Sequence, residues 1–164
     1  MVIPRTFGES FIVYQNPDKI LFKRFYKLVC IERTFMPFIS IVLNSTYIVL
    51  FWECIGIPAG LGALNVYKDD FRRIIIPKIS EELISKFTKN HSCFFERKIN
   101  DIYTECGFDK TQPIRSQEPN PLPDRKALDD IVFDAIGLTQ SERKEVYWAV
   151  CELVQRRLQK AKSV

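Results

Sequence analysis

The fold is decided by ISIVLNSTY, residues 39–47, an apolar run that starts soon after Pro37. Apolar residues that follow a proline in the first turn predict a buried helix. The polar residues Asn44 and Ser45 interrupt the run, which indicates two helices broken at Asn44, with both side chains capping the break. Together with Glu53 they argue against a membrane span, because a span needs about 20 strongly apolar residues.

A glycine-rich segment, GLGALNVYK at 60–68, follows these helices. Its two glycines predict a turn, and we expect a strand to resume around Val66 or at 73–76. Before the helices, β-branched and aromatic runs at 11–14 and 26–31 predict two further strands. The expected fold is therefore α+β, with a small mixed or antiparallel sheet packed against helices.

The middle of the chain favours helices and irregular segments. Ser80 is a capped helix start, and apolar residues at three- and four-residue spacing predict a further helix over 94–103. The lone histidine, His91, stands in a polar turn, where we expect a solvated role. Four prolines among polar residues mark 107–124 as a stiff linker.

The C-terminal segment carries the signals of a helical hairpin. Asp124 can cap a helix that ends at Gly137, and Thr139 with Glu142 forms a capping box for a helix that runs to Lys160. A short glycine turn between two amphipathic helices makes them antiparallel. The expected organisation is an α+β domain, a linker and a helical C-terminal extension, at 1–106, 107–124 and 125–164.

The net charge of +4 lies before residue 118, because the remainder holds equal numbers of acidic and basic residues. Basic side chains anchor phosphates, whereas Asn and Arg in a groove distinguish bases. An ordinary solvated surface is the alternative, and charge alone favours it. The basic residues cluster with aromatic ones in two places, which are Lys19, Lys23, Arg24 and Lys27 around Phe25 and Tyr26, and Lys68, Arg72 and Arg73 after Tyr67.

The order of the helix, the glycine turn and the IIIP at 74–77 resembles the target-recognition domain of adenine-specific DNA methyltransferases from type I and type IIG restriction-modification systems. In that domain a helix with Leu-Asn-Ser, here 43–45, precedes a glycine-rich turn and an Ile-Pro strand. IPRTF and YQNPDKI near the start are similar to its opening strands. LDDIVFDAIGLT and RRLQKAKSV near the end are similar to the helical tail that closes many of these enzymes.

The resemblance implies DNA recognition without catalysis. Such enzymes hold the adenine with an Asn/Asp-Pro-Pro-aromatic motif, but the nearest matches here are NPD at 16–18 and NPL at 120–122. The glycine-rich turn for S-adenosylmethionine is also missing, so we expect that cofactor in the catalytic domain of a parent methyltransferase or in a separate subunit. The expected partners are double-stranded DNA and this methyltransferase domain or subunit, and no membrane. The expected DNA-binding residues are Arg5, Lys19, Lys23, Arg24, Lys27, Asn65, Tyr67, Lys68, Arg72 and Arg73.

Alternative roles exist for individual residues and for the whole chain. Asn65 could satisfy the backbone of a turn, and Arg5 could pair with Glu9. The acidic pairs at 69–70 and 129–130 could indicate a nuclease metal site, although no Glu-x-Lys partner follows. The alternative function is a helical protein-interaction module that assembles restriction-modification subunits, or an orphan remnant.

The five cysteines indicate a reducing compartment. Their spacing does not match that of zinc sites, so no metal is expected. Cys30, Cys54 and Cys151 have apolar neighbours, which favours reduced structural thiols in a cytoplasmic protein.

Overall fold

The fold is α+β, as the sequence predicts, in a computed structural model that describes residues 1–20, 23–90 and 92–163. The strands are β1 (Val2–Pro4), β2 (Thr6–Phe7), β3 (Phe25–Lys27), β4 (Ile57–Ala59) and β5 (Ala63–Asn65). The helices are α1 (Met36–Asn44), α2 (Thr46–Ile55), α3 (Glu81–Asn90), α4 (Ile102–Cys106), α5 (Pro123–Ile136) and α6 (Gln140–Lys162). His91, expected in a polar turn, lies outside the described residues.

The strands form two small antiparallel sheets that adjoin at Arg5. In the first sheet β1 pairs with β3, and Val2 lies opposite Lys27. In the second sheet β5 lies between β2 and β4, with Thr6 and Ile57 opposite Asn65 on its two sides. Arg5 is the single residue between β1 and β2, so its backbone lies at the junction of both sheets.

The strand predicted at 11–14 is wrong except for Tyr14, which forms an isolated bridge with Val2. A side chain explains the difference. Asn44 occupies the position of a neighbouring strand, because its Oδ1 accepts from the Val13 N–H at 2.9 Å and its Nδ2 donates to the Val13 carbonyl at 3.1 Å. An amide side chain can replace a ladder partner for one residue and leaves the segment irregular on either side.

Two further strand predictions need correction. The run at 26–31 supplies only Tyr26 and Lys27 to β3, after which the Leu28 N–H still bonds the Met1 carbonyl. The strand expected at 73–76 is wrong, because Arg73 ends a 3-10 turn, Lys68–Arg73, and the following isoleucines have no regular structure. The strand after the glycine turn is β5, which ends just before Val66.

The helix break at Asn44 is confirmed. The Ser45 hydroxyl lies at the N-terminus of α2 and accepts from the Ile48 N–H at 3.4 Å. The Asp129 carboxylate, on α5, accepts from the Thr46 N–H at 2.7 Å and from the Thr46 hydroxyl at 2.6 Å. A carboxylate at a helix N-terminus satisfies free N–H groups and interacts favourably with the helix dipole. Asp129 therefore joins α5 to α2 rather than facing solvent.

The apolar helices α1 and α2 are the part of the chain to test for a membrane span. Among the described residues no single helix is long and apolar enough to cross a bilayer. The segments Arg33–Asn44 and Thr46–Ile55 reach that length and composition only when taken together, and they are bent by 64° where they meet.

The glycine turn is docked on the last helix. Gly62 has a positive φ of 72°, which favours glycine, and a Cβ there would lie 2.7 Å from Cδ2 of Leu158 on α6. Arg157 donates to the Gly62 carbonyl and forms an ion pair with Glu53 at 2.8 Å. The turn is thus fixed against α6 by close packing and by a buried guanidinium.

The C-terminal hairpin is confirmed, with one change at its start. The helix α5 begins at Pro123 after Leu122, so Asp124 is inside the first turn rather than before it. Gly137, with φ of 76°, ends α5. The Thr139 N–H donates to Glu142 Oε2 at 2.8 Å and the Glu142 N–H to Thr139 Oγ1 at 3.4 Å, which is the expected capping box.

One apolar core contains residues from the first strands, from α1 and α2 and from both C-terminal helices. The face of α6 that it buries holds Tyr147, Val150, Cys151, Val154 and Arg157. Both C-terminal helices therefore pack into the same core as the first strands. The division at 106 and 124 stays a prediction.

The helix predicted over 94–103 is wrong except for its last two residues, which begin α4. A 3-10 turn covers Ser92–Phe95, and the chain is irregular until α4. Asp101 starts α4, since its carboxylate accepts from the N–H groups of Tyr103 and Thr104, both at 3.1 Å.

The prediction of structural thiols holds for some of the cysteines only. Cys151 is buried and Cys30 half-buried, whereas Cys54 is exposed.

The irregular segment is anchored by ionic contacts. Arg97 makes paired hydrogen bonds to Glu105 at 2.7 and 2.8 Å and to Asp124 at 2.6 and 3.0 Å. Arg125, which is 1% exposed, donates to Oε2 of the same Glu105 carboxylate at 3.3 Å. Both guanidinium groups also lie against the ring of Phe94, at 5.3 and 4.8 Å from its centroid.

Candidate nucleic-acid interface

A surface depression of about 250 Å³ brings together four of the predicted DNA-binding residues. It lies where the two sheets adjoin, beside the β2–β5 pair. We call it the β2–β5 groove, and it is lined by Arg5, Thr6, Arg24, Asn65, Val66 and Tyr67.

Backbone hydrogen bonds at Arg5 assemble the groove from three distant segments. The Arg5 N–H donates to the Arg24 carbonyl at 3.1 Å, which continues the β1–β3 sheet. The Arg5 carbonyl accepts from the Val66 N–H at 3.0 Å, which continues the β2–β5 pair. Because one residue bonds both sheets, the positions of Arg5, Arg24 and Val66 relative to one another are fixed by main-chain geometry.

Tyr26 supports the Arg5 side chain. The guanidinium carbon lies 5.4 Å from the centre of the Tyr26 ring, a cation–π distance. The Tyr26 hydroxyl donates to the Val66 carbonyl at 3.3 Å, and its ring packs edge-on against Phe71 at 5.5 Å. Phe71 in turn packs against the buried Trp52 at 5.1 Å. Arg5 is therefore supported by an aromatic series that reaches the core.

The two groove arginines have no acidic partner. Neither Arg5 nor Arg24 forms an ion pair with any residue that the structure describes. The alternative pairing of Arg5 with Glu9 is wrong, since Glu9 pairs with Lys110 at 3.3 Å. Unpaired guanidinium groups that share a concave surface make a local positive field, which attracts phosphates and acceptor atoms.

Asn65 does not serve a turn. It is the last residue of β5, and its Oδ1 accepts from the Thr6 hydroxyl at 2.8 Å across the sheet. Its Nδ2 has no acceptor among the residues that the structure describes. Tyr67 follows two residues later and is 45% exposed, with its N–H bonded to Asp70 at 2.8 Å. Both side chains are available to a ligand in the groove.

Lys68, Arg72 and Arg73 lie on the 3-10 turn that continues from Tyr67. They are outside the groove lining and are partly neutralised. Arg72 lies 3.6 Å from Asp69, with 81% of its side chain exposed, and Arg73 lies 4.0 Å from Asp70. Exposed pairs of this kind are weak and are broken easily by a phosphate.

The remaining lysines are separate from the groove. Lys19 and Lys27 line a second depression, of about 170 Å³, with Asn16 and Phe25. Successive side chains of a strand face opposite ways, so Lys27 lies on the other side of β3 from Tyr26, which carries Arg5. Lys23 lies in a turn and lines neither depression. The expected site is thus divided between the two sides of one strand.

A larger depression of about 640 Å³ lies at the start of α1 and holds none of the predicted residues. It contains Arg33 and Glu96, whose charges are opposite. The Ser40 hydroxyl, also in its lining, is buried without a hydrogen-bond partner among the described residues. Charge therefore distinguishes this depression from the β2–β5 groove.

Sequence reasoning missed Thr6, which the register of β2 with β5 places opposite Asn65. Its only sequence signal is its place directly after Arg5 in a β-branched and aromatic run. No residue spacing indicates a contact between positions 59 apart in the chain. Pairing partners of short strands depend on tertiary packing, and local patterns do not specify them.

Comparisons with protein-family models, curated proteins and solved structures found no match. Within the described residues no group of three or more His, Cys, Asp or Glu side chains is placed to hold a metal ion.

Proposed function

We propose that this chain is the DNA sequence-recognition part of an adenine-N6 DNA methyltransferase of a restriction-modification system, and that it lacks the catalytic domain. The observation that carries the proposal is the β2–β5 groove, in which two unpaired arginines adjoin an asparagine amide and an exposed tyrosine. The motif resemblance of the sequence supplies the class of enzyme.

In the proposed mechanism, basic residues locate the DNA and the groove reads it. Lys23, Arg24 and the basic residues of the 68–73 turn contact phosphates, which fixes the protein on the duplex without selecting a sequence. Arg5, Asn65 and Tyr67 contact base edges in the major groove, where each base pair has a distinct pattern of donors and acceptors. A partner methyltransferase domain in the cytoplasm supplies S-adenosylmethionine and flips out the adenine.

A second candidate function has its own observation. The segment between β3 and α1 exposes three large apolar side chains, Val29 at 66%, Ile31 at 101% and Phe35 at 52%. Apolar side chains exposed close together in sequence are typical of protein–protein contacts. A module that assembles restriction-modification subunits would use this segment, with or without a DNA contact.

The test is duplex DNA binding by fluorescence anisotropy over a range of salt concentrations. Reversing Lys23 and Arg24 to Glu should weaken binding to every sequence and reduce the salt slope by about two, since each lost phosphate contact changes the slope by roughly 0.9. The matched control reverses Lys126 and Lys144 on α5 and α6, which makes the same change in net charge on side chains of similar exposure, 57% and 48%.

The two double variants separate the functions. If both double variants keep native circular dichroism and bind DNA equally, with equal salt slopes, the proposed DNA face is contradicted. Salt-independent binding to a methyltransferase subunit, lost when Ile31 and Phe35 become Ser, would then favour the assembly module.

Calorimetry of the chain with S-adenosylmethionine should show no binding, because the motifs that hold this cofactor are missing.

A further inference from the structure

We infer that Thr6 positions the Asn65 amide so that the β2–β5 groove presents hydrogen-bond donors, and that the groove therefore selects guanine in the major groove. The inference rests on the proposed function and identifies the base that the same site recognises. Thr6 acts through Asn65 and is a positioning residue.

The contact between Thr6 and Asn65 has a defined direction. The two residues are directly opposite in the β2–β5 pair, and the Thr6 hydroxyl donates its proton to Asn65 Oδ1 at 2.8 Å. Oδ1 is thereby turned towards β2. The Nδ2 end of the amide, with two N–H donors, is the end left for a ligand. No other described residue bonds that amide nitrogen.

The two arginines of the groove add donors of the same kind. A guanidinium has five N–H donors and no acceptor, and neither Arg5 nor Arg24 gives any of them to a carboxylate of the described chain. Arg5 is also held at a fixed position over the Tyr26 ring, at 5.4 Å. A donor that is already ordered loses less conformational entropy when it binds.

The base that fits such a set of donors has acceptors only. Guanine presents two acceptors, N7 and O6, in the major groove, and Arg is its commonest partner. Adenine presents one acceptor and the N6 donor, so an asparagine that reads adenine must offer both Oδ1 and Nδ2. The Thr6 hydroxyl occupies one of the two lone pairs of Oδ1 and holds that oxygen towards β2, so Asn65 does not present Oδ1 and Nδ2 side by side as a contact with adenine requires. The structure therefore favours guanine over adenine.

The experiment compares the intact chain on three short duplexes of equal length at one salt concentration. One duplex is rich in G·C pairs, one is rich in A·T pairs, and one carries 7-deazaguanine for every guanine, which removes the N7 acceptor and keeps base pairing. The wild type should bind the G·C duplex about tenfold more tightly than the other two, within the range expected for a bidentate base contact.

The variants test the positioning role. Thr6→Val keeps the β-branched shape and removes the hydroxyl, so the preference for the G·C duplex should fall to about twofold or less while the salt slope stays unchanged. Thr6→Ser keeps the hydroxyl and should behave as the wild type. Circular dichroism and the salt slope show that a loss of preference is not a loss of fold.

Each result has a defined meaning. Equal salt-dependent binding of the wild type to all three duplexes would overturn the inference about guanine and leave the DNA-binding proposal intact. A preference that survives in Thr6→Val would assign the selection to Arg5 and overturn the role of Thr6. No salt-dependent binding to any duplex would instead overturn the proposed function itself.

Discussion

The β2–β5 groove and the C-terminal helices use arginine in opposite ways. In and around the helices, Arg97, Arg143 and Arg157 each form ion pairs with acidic residues, and their role is to hold segments together. In the groove, Arg5 and Arg24 form no ion pair with any described residue. The comparison shows that the pairing of basic residues, and not their number, distinguishes a structural cation from one that is available to a ligand.

Glu105 is the centre of the paired region. It is 1% exposed and receives hydrogen bonds from Arg97, Arg125 and the Asn100 N–H. Burial raises the pKa of Glu105, but the hydrogen bond from Arg97, the charge of Arg125 and the backbone N–H of Asn100 together outweigh burial, so the pKa lies below its ordinary value. The carboxylate is therefore stabilised in its charged form.

Replacing Glu105 with Gln should have the largest effect on stability. The variant leaves Arg125 buried without its acidic partner, and loss of one member of a buried pair costs about 3–5 kcal/mol of the free energy of unfolding. Urea denaturation of the purified chain measures this. The control is Glu145→Gln, which removes an exposed partner of Arg115, 2.7 Å away, and should cost less than about 1 kcal/mol. Similar costs for the two variants would show that the buried ion pair stabilises the fold no more than the exposed one.

Lowering the pH should reduce the contribution of Glu105 to the free energy of unfolding. The folded pKa of Glu105 is below the unfolded value of about 4.3. Its contribution is therefore fully present above the unfolded pKa and is lost as pH falls through the folded pKa. The difference in unfolding free energy between the wild type and Glu105→Gln should be smaller at pH 3 than at pH 7, because acid neutralises the wild-type carboxylate. A difference that does not change with pH would show that the charge of Glu105 does not contribute.

Local patterns predicted the parts of the fold that depend on neighbouring residues. The helix break at Asn44 and the capping box of Thr139 with Glu142 are set by side chains that bond a backbone group three or four residues away. The end of α5 at Gly137 needs only a residue that accepts a positive φ. Each of these features could be identified from a few consecutive letters of the sequence.

The remaining features depend on contacts between distant residues. The segment at 11–14 has a strand composition, but its backbone partner is the side chain of Asn44, which composition does not reveal. Similarly, the sequence marked Arg5 and Asn65 as candidates but not the register that brings Thr6 to Asn65. Lys19 and Lys27 satisfied the same charge criterion and face a different depression. Charge clusters therefore identified candidates without assigning them to one site.

Tyr67→Ala tests whether the exposed side chains of the groove contact bases. If the proposed function holds, a lost base contact should change the preference among DNA sequences by roughly 1–3 kcal/mol in the proposed methyltransferase, and Asn65→Ala should act in the same range. Tyr14→Ala is a matched control, because Tyr14 and Tyr67 are both 45% exposed and Tyr14 lies outside the groove. Methylation rates on a set of variant target sequences measure the preference. An equal shift for Tyr14→Ala would place the readout elsewhere.

The smallest effect on the free energy of unfolding is expected from a change at the start of α6. Thr139→Ala removes the hydroxyl that accepts from the Glu142 N–H at 3.4 Å, and loss of such a cap should cost about 1 kcal/mol of the free energy of unfolding. Thr139→Ser retains the hydroxyl and should cost much less. Because the cap belongs to the region in which polar groups are satisfied internally, DNA affinity should stay nearly unchanged in both variants. A large loss of DNA binding by Thr139→Ala, with native circular dichroism and an unchanged urea midpoint, would place the start of α6 in contact with DNA and make both regions part of one interface.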